Sequence, residues 1–334
     1  MNTETVKDYW SKNVTDCVKG YMCICVLIHH LYQHSGFFSH TYFGHFLQML
    51  GYWAVGVFLF VSGYGLMFSF KNKEGYLKTF FSRRFFTLYF SYAVLVIIYF
   101  AVFPENISLE FVLKSFLWGG TVVYTGWFFQ MILPLYLIFY LSFRFVKKTL
   151  TGFVLFLLFC GAYAFACTRC GQRHMEILLF VFGMFMALIK DKFDVFLKRF
   201  LWLLIAGVFA VFFSVYMIYV RSVVMGKFSM PDNLLDSLII ISDMAVAVFV
   251  VCACYFSTKK GIPLIENPVS RWISKYSLEI YGLQTMVILV LLPVMGRTVP
   301  FILVSIVVTV LLAVALKTLT SYLIRLINGK FLKG

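Results

Sequence analysis

The architecture of this chain follows from residues 46–103, which read FLQMLGYWAVGVFLFVSGYGLMFSF (46–70), KNKEGYLKTFF (71–81) and SRRFFTLYFSYAVLVIIYFAVF (82–103). The first and third pieces are apolar, and each is near the roughly 20 residues that a helix needs to cross the hydrocarbon core of a bilayer. The piece between them is short and basic. The sequence therefore predicts two transmembrane helices joined by a basic cytoplasmic loop.

The same pattern extends over the whole chain. Of its 29 basic residues, 22 lie on the side of the two tails, either in the tails and gaps of that side or within three residues of a segment end that borders them. Six lie in the gaps on the other side, and Lys317 lies in the interior of the last apolar segment. Because positive charge marks cytoplasmic loops, this alternation predicts an all-α bundle of about ten transmembrane helices with both termini in the cytoplasm. The ten segments are 17–33, 46–70, 82–103, 127–146, 151–168, 174–189, 200–220, 236–256, 273–294 and 298–324.

One transmembrane domain is predicted over residues 1–334, with a cytoplasmic segment at 1–16, the helix bundle at 17–324 and a cytoplasmic tail at 325–334. Residues 1–16 are polar and contain no cleavage motif, so we expect no signal peptide. The outer connection at 104–126 contains FVLKSFLWGG (111–120), which fits a short interfacial helix and equally a cap over an outer vestibule.

Composition excludes a soluble protein, because 62% of the residues are hydrophobic where soluble domains have about half. The formal net charge of +15 is distributed in short clusters beside apolar segments. Topology and anionic lipid headgroups explain such clusters, so the expected partner is the lipid bilayer and not a nucleic acid. Most of the eight cysteines lie within spans, and only Cys167 and Cys170 are placed where they could pair.

The first span contains the most informative polar residues. Lys19 and His30 are 11 residues apart, which brings them within about 20° on one helix face and about 16 Å apart along the axis. A neutral imidazole in a water-filled cavity can act as a general base. The alternative is that His30 and its neighbour His29 are interfacial residues that hydrogen-bond to nearby groups. Irregular histidine spacing without a nearby carboxylate predicts no metal site.

Further polar residues within or beside the spans are candidates for function, because ionisable groups are costly in a membrane. Arg83 and Arg84 begin the third span and suit bidentate phosphate binding, although positive-inside flanking also explains them. Ser62 and Gly63 also fit a seam where helices pack closely. The candidates that line a pore or face an acceptor are Ser62, Tyr64, Trp127, Asp243, Glu279, Tyr281 and Gln284.

Several motifs, taken in order, resemble the bacterial acyltransferase-3 family of ten-span membrane proteins. They are KGYMCICVLIHHLYQ (19–33), VFLFVSGYGL (57–66), YLKTFFSRRFFTLYFSY (76–92), TGWFFQMILPLYL (125–137), FGM (182–184) and SKYSLEIYGLQ (274–284). The resemblance covers essentially the whole chain. It implies an acyl-CoA-dependent O-acyltransferase of the bacterial cytoplasmic membrane that modifies cell-surface carbohydrate, with acetyl-CoA the expected co-substrate and no bound cofactor.

The resemblance also implies residue roles. The family motif of Arg, ten residues and His falls on Lys19 and His30, which makes His30 the catalytic histidine, with the adjacent His29 as a second catalytic candidate. It makes Lys19 a donor-binding residue together with Arg83 and Arg84. Lysine thus replaces arginine at 19, Thr87 stands where a second arginine of the third span is expected, and Gln284 stands where members commonly have histidine. A translocator or exporter of a glycan or a lipid-linked intermediate is the alternative function.

Overall fold

The computed structural model describes residues 8–331 apart from 40, 118–119, 147, 173, 225, 227–228 and 263–264. Within these residues every regular element is helical, which confirms the predicted polytopic helix bundle. The α-helices are α1 (Lys12–Ser35), α2 (Tyr42–Asn72), α3 (Phe86–Val102), α4 (Leu109–Phe116), α5 (Trp127–Arg144), α6 (Thr149–Arg169), α7 (Ile177–Leu188), α8 (Lys190–Tyr219), α9 (Asp232–Lys260), α10 (Pro268–Lys275), α11 (Ser277–Met295) and α12 (Val299–Phe331).

Nine of the helices in the described part of the chain are long and apolar enough to cross a membrane. The predicted segment 174–189 forms a helix that is shorter than a usual transmembrane span. This helix, α7, has 12 residues and is about 18 Å long, whereas the hydrocarbon core is about 30 Å thick. It ends because Ile189 leaves the helical conformation, with φ −97° and ψ 12°, and α8 begins at the next residue. Alternation of the basic loops predicts that this short helix crosses as well.

Local sequence explains where several helices begin and end. The hydroxyl of Ser11 accepts the backbone N–H of Val14 at the start of α1, and Gly36 ends that helix with φ 69°, in the left-handed region that favours glycine. Asn267 caps α10 in the same way by accepting from the N–H of Ser270 at 2.8 Å. The predicted interfacial segment 111–120 contains most of α4, which Ser108 caps.

The described helices divide into two compact units, each assembled from two separate parts of the chain. The first unit is the chain up to Phe68 together with Leu178–Ser277, and it contains α1, α8, α9 and α10. The second unit is Ser69–Ile177 together with the chain from Leu278, and it contains α3, α4, α5, α6 and α12. Since neither unit is a continuous stretch of sequence, the prediction of a single domain stays a prediction.

The number of crossings can be tested at α7. If α7 spans the membrane, a topology reporter placed after Gly171 will read as outside, and one placed after Ile189 will read as cytoplasmic. Reporters at the N-terminus and after Gly334 will then both read as cytoplasmic, because ten crossings return the chain to its starting side. Paired alkaline phosphatase and green fluorescent protein fusions measure this. Termini on opposite sides would contradict ten crossings and leave nine.

Candidate functional site

His29 and His30 lie next to each other in α1, but their surroundings differ. His29 is buried, its Nδ1 donates to the carbonyl of Leu47 at 3.2 Å, and a Cβ on Gly51 would lie only 2.4 Å from its Cγ. This imidazole therefore fills the contact between α1 and α2. His30 is partly exposed, and its ring packs edge-on against that of His29 with 4.9 Å between the centroids.

His30 is held by a short hydrogen-bond chain. Its Nδ1 lies 3.1 Å from Oε1 of Gln33, and Nε2 of Gln33 donates to Oε1 of Gln48 at 3.3 Å. An amide oxygen only accepts, so Nδ1 carries the proton of the neutral imidazole and Nε2 keeps its lone pair. The structure thus presents His30 in the form that accepts a proton at Nε2.

Lys19 lies on the same helix as His30, because α1 is continuous from Lys12 to Ser35. Its ammonium group lies 3.3 Å from Asp16, which also pairs with Lys12 at 2.8 Å. The side chain of Lys19 is about one-third exposed. The sequence analysis did not identify Asp16 as a partner of Lys19, although a spacing of three residues places the two side chains on the same face of the helix.

The predicted seam at Ser62 and Gly63 is a tight helix crossing. A Cβ on Gly63 would lie 2.1 Å from the carbonyl oxygen of Phe180, and one on Gly183 would lie 2.0 Å from that of Phe60. The two backbones therefore touch, as small residues allow. Ser62 is half-buried beside this crossing. The packing interpretation of these small residues is thus the one that the contacts support.

Tyr64 follows this crossing and packs against the N-terminal segment. Its ring lies edge-on to that of Trp10, with 5.8 Å between the centroids, and both side chains are buried. Within the described residues neither the hydroxyl of Tyr64 nor Nε1 of Trp10 has a hydrogen-bond partner. Sequence analysis placed residues 1–16 outside the bundle and gave no sign that Trp10 would be buried.

Asp243 is buried in α9, in the first unit, at 2% exposure. It packs against Gly56 of α2: a Cβ added to Gly56 would lie 3.0 Å from Cβ of Asp243 and 3.3 Å from Oδ2 of Asp243. The neighbouring Ser242 accepts a hydrogen bond from Nε1 of Trp53 at 3.0 Å. Polar contacts between α2 and α9 therefore continue through the interior of this unit.

Arg83 and Arg84 lie in a π-helical turn, Phe81–Phe85, directly before α3. Both side chains are exposed, and the hydroxyl of Thr87 donates to the carbonyl of Ser82 across this wider turn at 3.4 Å. Burial raises the pKa of Tyr76, and the guanidinium group of Arg84 opposes that shift, so Arg84 acts on this phenol electrostatically. Such turns recur at functional sites, and this one presents two cations together.

Trp127 and Tyr281 belong to an aromatic cluster in the second unit. Trp127 begins α5, and the ring of its neighbour Phe128 packs against that of Tyr281 at a tilt of 58°, with 5.2 Å between the ring centroids. The hydroxyl of Thr125 donates to the carbonyl of Tyr281 at 3.0 Å and so fixes α11 to the start of α5. These contacts bring two sequence-predicted candidates into one region of the unit.

Glu279 forms an ion pair with Lys317, the basic residue that sequence analysis left inside the last apolar segment. Nζ of Lys317 lies 3.0 Å from Oε1 of Glu279, whose side chain is 1% exposed. The other carboxylate oxygen has no hydrogen-bond partner within the described residues. A buried carboxylate needs a cationic partner to remain charged, so the ion pair between Glu279 and Lys317 explains how both groups are tolerated. Nothing in their spacing of 38 residues predicts the contact.

Gln284 is completely buried in α11, and among the described residues neither its amide oxygen nor its amide nitrogen has a hydrogen-bond partner. Leaving a buried amide unpaired costs free energy, and such groups are rare in native interiors. The neighbouring Tyr99 donates to the carbonyl of Gly282 at 3.0 Å, so the backbone of α11 is tied to α3. The described residues therefore leave both hydrogen-bonding groups of the Gln284 side chain unsatisfied.

The sequence-predicted residues divide between the two units. The first unit contains Lys19, His29, His30, Ser62, Tyr64 and Asp243; the second contains Arg83, Arg84, Trp127, Glu279, Tyr281 and Gln284. No group of three or more His, Cys, Asp or Glu side chains that could hold a metal ion occurs within the described ranges. All eight cysteines are free thiols, including Cys167 and Cys170.

A family model described as an acyltransferase domain matches residues 14–318, which include every candidate site residue that the sequence predicted. No curated protein and no solved structure is significantly similar to the chain. Since the match covers nearly the whole chain and agrees with the polytopic helix bundle, the chain belongs to the acyltransferase-3 family of membrane acyltransferases.

Proposed function

We propose that this protein transfers an acyl group, preferentially acetyl, from cytoplasmic acyl-CoA to a hydroxyl group of a glycan outside the cytoplasmic membrane of a bacterium. Membership of the family supports acyl transfer in general. The observation that carries the finer proposal is the state of His30, whose Nδ1 donates to Gln33 and whose Nε2 is thereby left as a base.

The proposed reaction is the conversion of a thioester to an oxygen ester. The glycan oxygen attacks the thioester carbonyl while Nε2 of His30 takes the hydroxyl proton. The carbon–sulfur bond then breaks, and the thiol of CoA leaves after receiving a proton from the imidazolium group. The same histidine thus acts first as base and then as acid, and the imidazole is neutral again at the end.

Cationic residues are proposed to bind the phosphates of the donor. Lys19 and the exposed pair Arg83 and Arg84 carry positive charge of the kind that this role needs. Guanidinium groups suit phosphates because two parallel N–H donors match two oxygens. His29, packed against Gly51, is proposed to support His30 and not to contact the substrate.

Hydrogen-bonding groups inside the spans are proposed to bind the polar parts of the substrates. Gln284 is the strongest of these, because its buried amide has no partner among the described residues. Its N–H group can donate to an oxygen that gains negative charge during the reaction. Ser62, Tyr64, Trp127, Asp243, Glu279 and Tyr281 stay predictions as pore-lining or acceptor-side residues.

The function is tested by thioester turnover. Purified protein in nanodiscs is incubated with radiolabelled acetyl-CoA and a bacterial envelope fraction, and label on glycan and release of free CoA are measured together. Label on glycan at one equivalent per CoA released supports the proposal. A folded sample that neither binds nor consumes acetyl-CoA contradicts it, and the translocator alternative then gains weight because translocation needs no thioester.

Replacement of Arg83 and Arg84 together by alanine is expected to raise the KM for acetyl-CoA by about tenfold or more, since charge-assisted hydrogen bonds to phosphate are lost. The KM for the glycan should be unchanged. The matched control is the double alanine variant of Arg144 and Lys148, which removes the same charge near the end of α5. An unchanged KM for acetyl-CoA in the Arg83 and Arg84 variant would show that the arginine pair does not bind the donor and serves only to set the membrane topology.

A further inference from the structure

We propose that Gln33 is the positioning residue for His30 and that Gln48 in turn fixes the orientation of Gln33. In this arrangement a neutral amide takes the part that a carboxylate plays in many catalytic histidine pairs. The inference rests on the proposed function for its catalytic meaning, but its structural content can be tested without any turnover.

The first step of the argument is the hydrogen bond at Nδ1. Gln33 lies three residues after His30 on α1, so the two side chains share one face of the helix. Its Oε1 lies 3.1 Å from Nδ1 of His30. Because this oxygen only accepts, the proton of the neutral ring stays on Nδ1, and no described group is hydrogen-bonded to Nε2.

The second step concerns the direction of the amide of Gln33. An amide turned by 180° would present its NH₂ group to Nδ1 and so favour the opposite tautomer. We assign the observed orientation to Gln48, whose Oε1 accepts from Nε2 of Gln33 at 3.3 Å, so that the two amides would have to turn together to reverse it. The nitrogen end therefore points to α2 and the oxygen end points to His30.

The third step is the rigidity of the support. Gln48 follows Leu47, whose carbonyl accepts the hydrogen bond of His29 at 3.2 Å. The imidazole of His29 is in turn enclosed against Gly51, so α1 and α2 are fixed to each other beside the Gln33–Gln48 contact. Two adjacent histidines thus have different tasks: His29 holds the two helices together, and His30 is presented by the amide chain.

The chemical consequence follows from tautomer preference. Histidine in water favours the form with the proton on Nε2, which cannot accept a proton there. Without the acceptor at Gln33 the imidazole is expected to return towards that form and to rotate more freely. Loss of one hydrogen bond of ordinary strength corresponds to a fall in kcat of about tenfold. The KM values for acetyl-CoA and glycan should remain unchanged, since Gln33 contacts neither in this scheme.

The test uses three variants and two readouts. Gln33→Leu removes the acceptor, Gln33→Glu retains it, and Gln172→Leu is a matched control at an exposed glutamine after α6. The kinetic readout is kcat and KM with acetyl-CoA in nanodiscs. The structural readout is the ¹⁵N NMR spectrum of histidine-labelled protein, in which the signals of His30 are assigned by their absence in His30→Asn.

The expected result is a kcat about tenfold lower in Gln33→Leu, with kcat close to wild type in Gln33→Glu and Gln172→Leu. The spectrum should show the proton of His30 on Nδ1 in the wild type and on Nε2 in Gln33→Leu. Full kcat in Gln33→Leu, or an Nε2 proton in the wild type, would overturn the inference. If the wild type is inactive, the proposed function fails, and the spectra of the resting proteins still decide the role of Gln33.

Discussion

Replacement of His30 by alanine is expected to abolish acyl transfer while the protein still inserts and folds. A positioned general base accelerates proton transfer by about 10²–10⁴-fold, and the variant should lose at least that factor in kcat. The folded state should tolerate the change, because the side chain of His30 is partly exposed. The contacts that the change removes are those with Gln33 and with the ring of His29. Label transfer from acetyl-CoA, normalised to monodisperse protein, measures the loss.

His29→Ala is the matched comparison, since the two residues are adjacent and of the same type. Truncation of His29 leaves a cavity at Gly51 and removes the donor to Leu47, so we expect a loss of stability of about 1–3 kcal/mol. The kcat of the molecules that remain folded should fall far less than in His30→Ala. Retained transfer in His30→Ala, or an equal loss in a fully stable His29→Ala, would remove His30 from the catalytic role.

Replacement of Gly63 by alanine is expected to disrupt the first unit. The new methyl group would lie 2.1 Å from the carbonyl oxygen of Phe180 and 2.9 Å from the carbon of that group. Both obstacles are backbone atoms, so the two helices must separate and cannot relieve the clash by turning a side chain. Overpacking costs about 1–3 kcal/mol when side chains can adjust, and we expect the upper end or more here.

Gly65→Ala is the control on the same helix, because a Cβ at Gly65 meets nothing within 4 Å. Its melting temperature in detergent should equal or slightly exceed that of the wild type, since alanine favours a helix by up to about 1 kcal/mol over glycine. Gly183→Ala should behave like Gly63→Ala, as its Cβ would lie 2.0 Å from the carbonyl oxygen of Phe60. A Gly63→Ala protein that melts with the wild type would show that this crossing is loose.

The sequence predicted the positions of the spans closely, with one difference at α7. Hydropathy and charge act on each segment separately, because a bilayer rewards any apolar run of sufficient length and basic loops stay in the cytoplasm. Helix ends follow from equally local signals, such as the cap at Ser11 and the glycine at 36. The short α7 departs from the prediction mainly at its start, because the helix begins at Ile177 and not at residue 174, whereas its end at Leu188 lies within one residue of the predicted one.

The sequence by itself determined the membrane architecture and the family, because each depends on the order and composition of neighbouring residues, and it predicted His30 as the catalytic candidate. Only the tertiary structure decided which side chains on different helices meet. It alone paired Gln33 with Gln48, Glu279 with Lys317 and Gly63 with Phe180. The physical reason is that helix rotation and tilt are set by packing against neighbouring helices, and apolar side chains point outward to lipid and inward to the bundle alike.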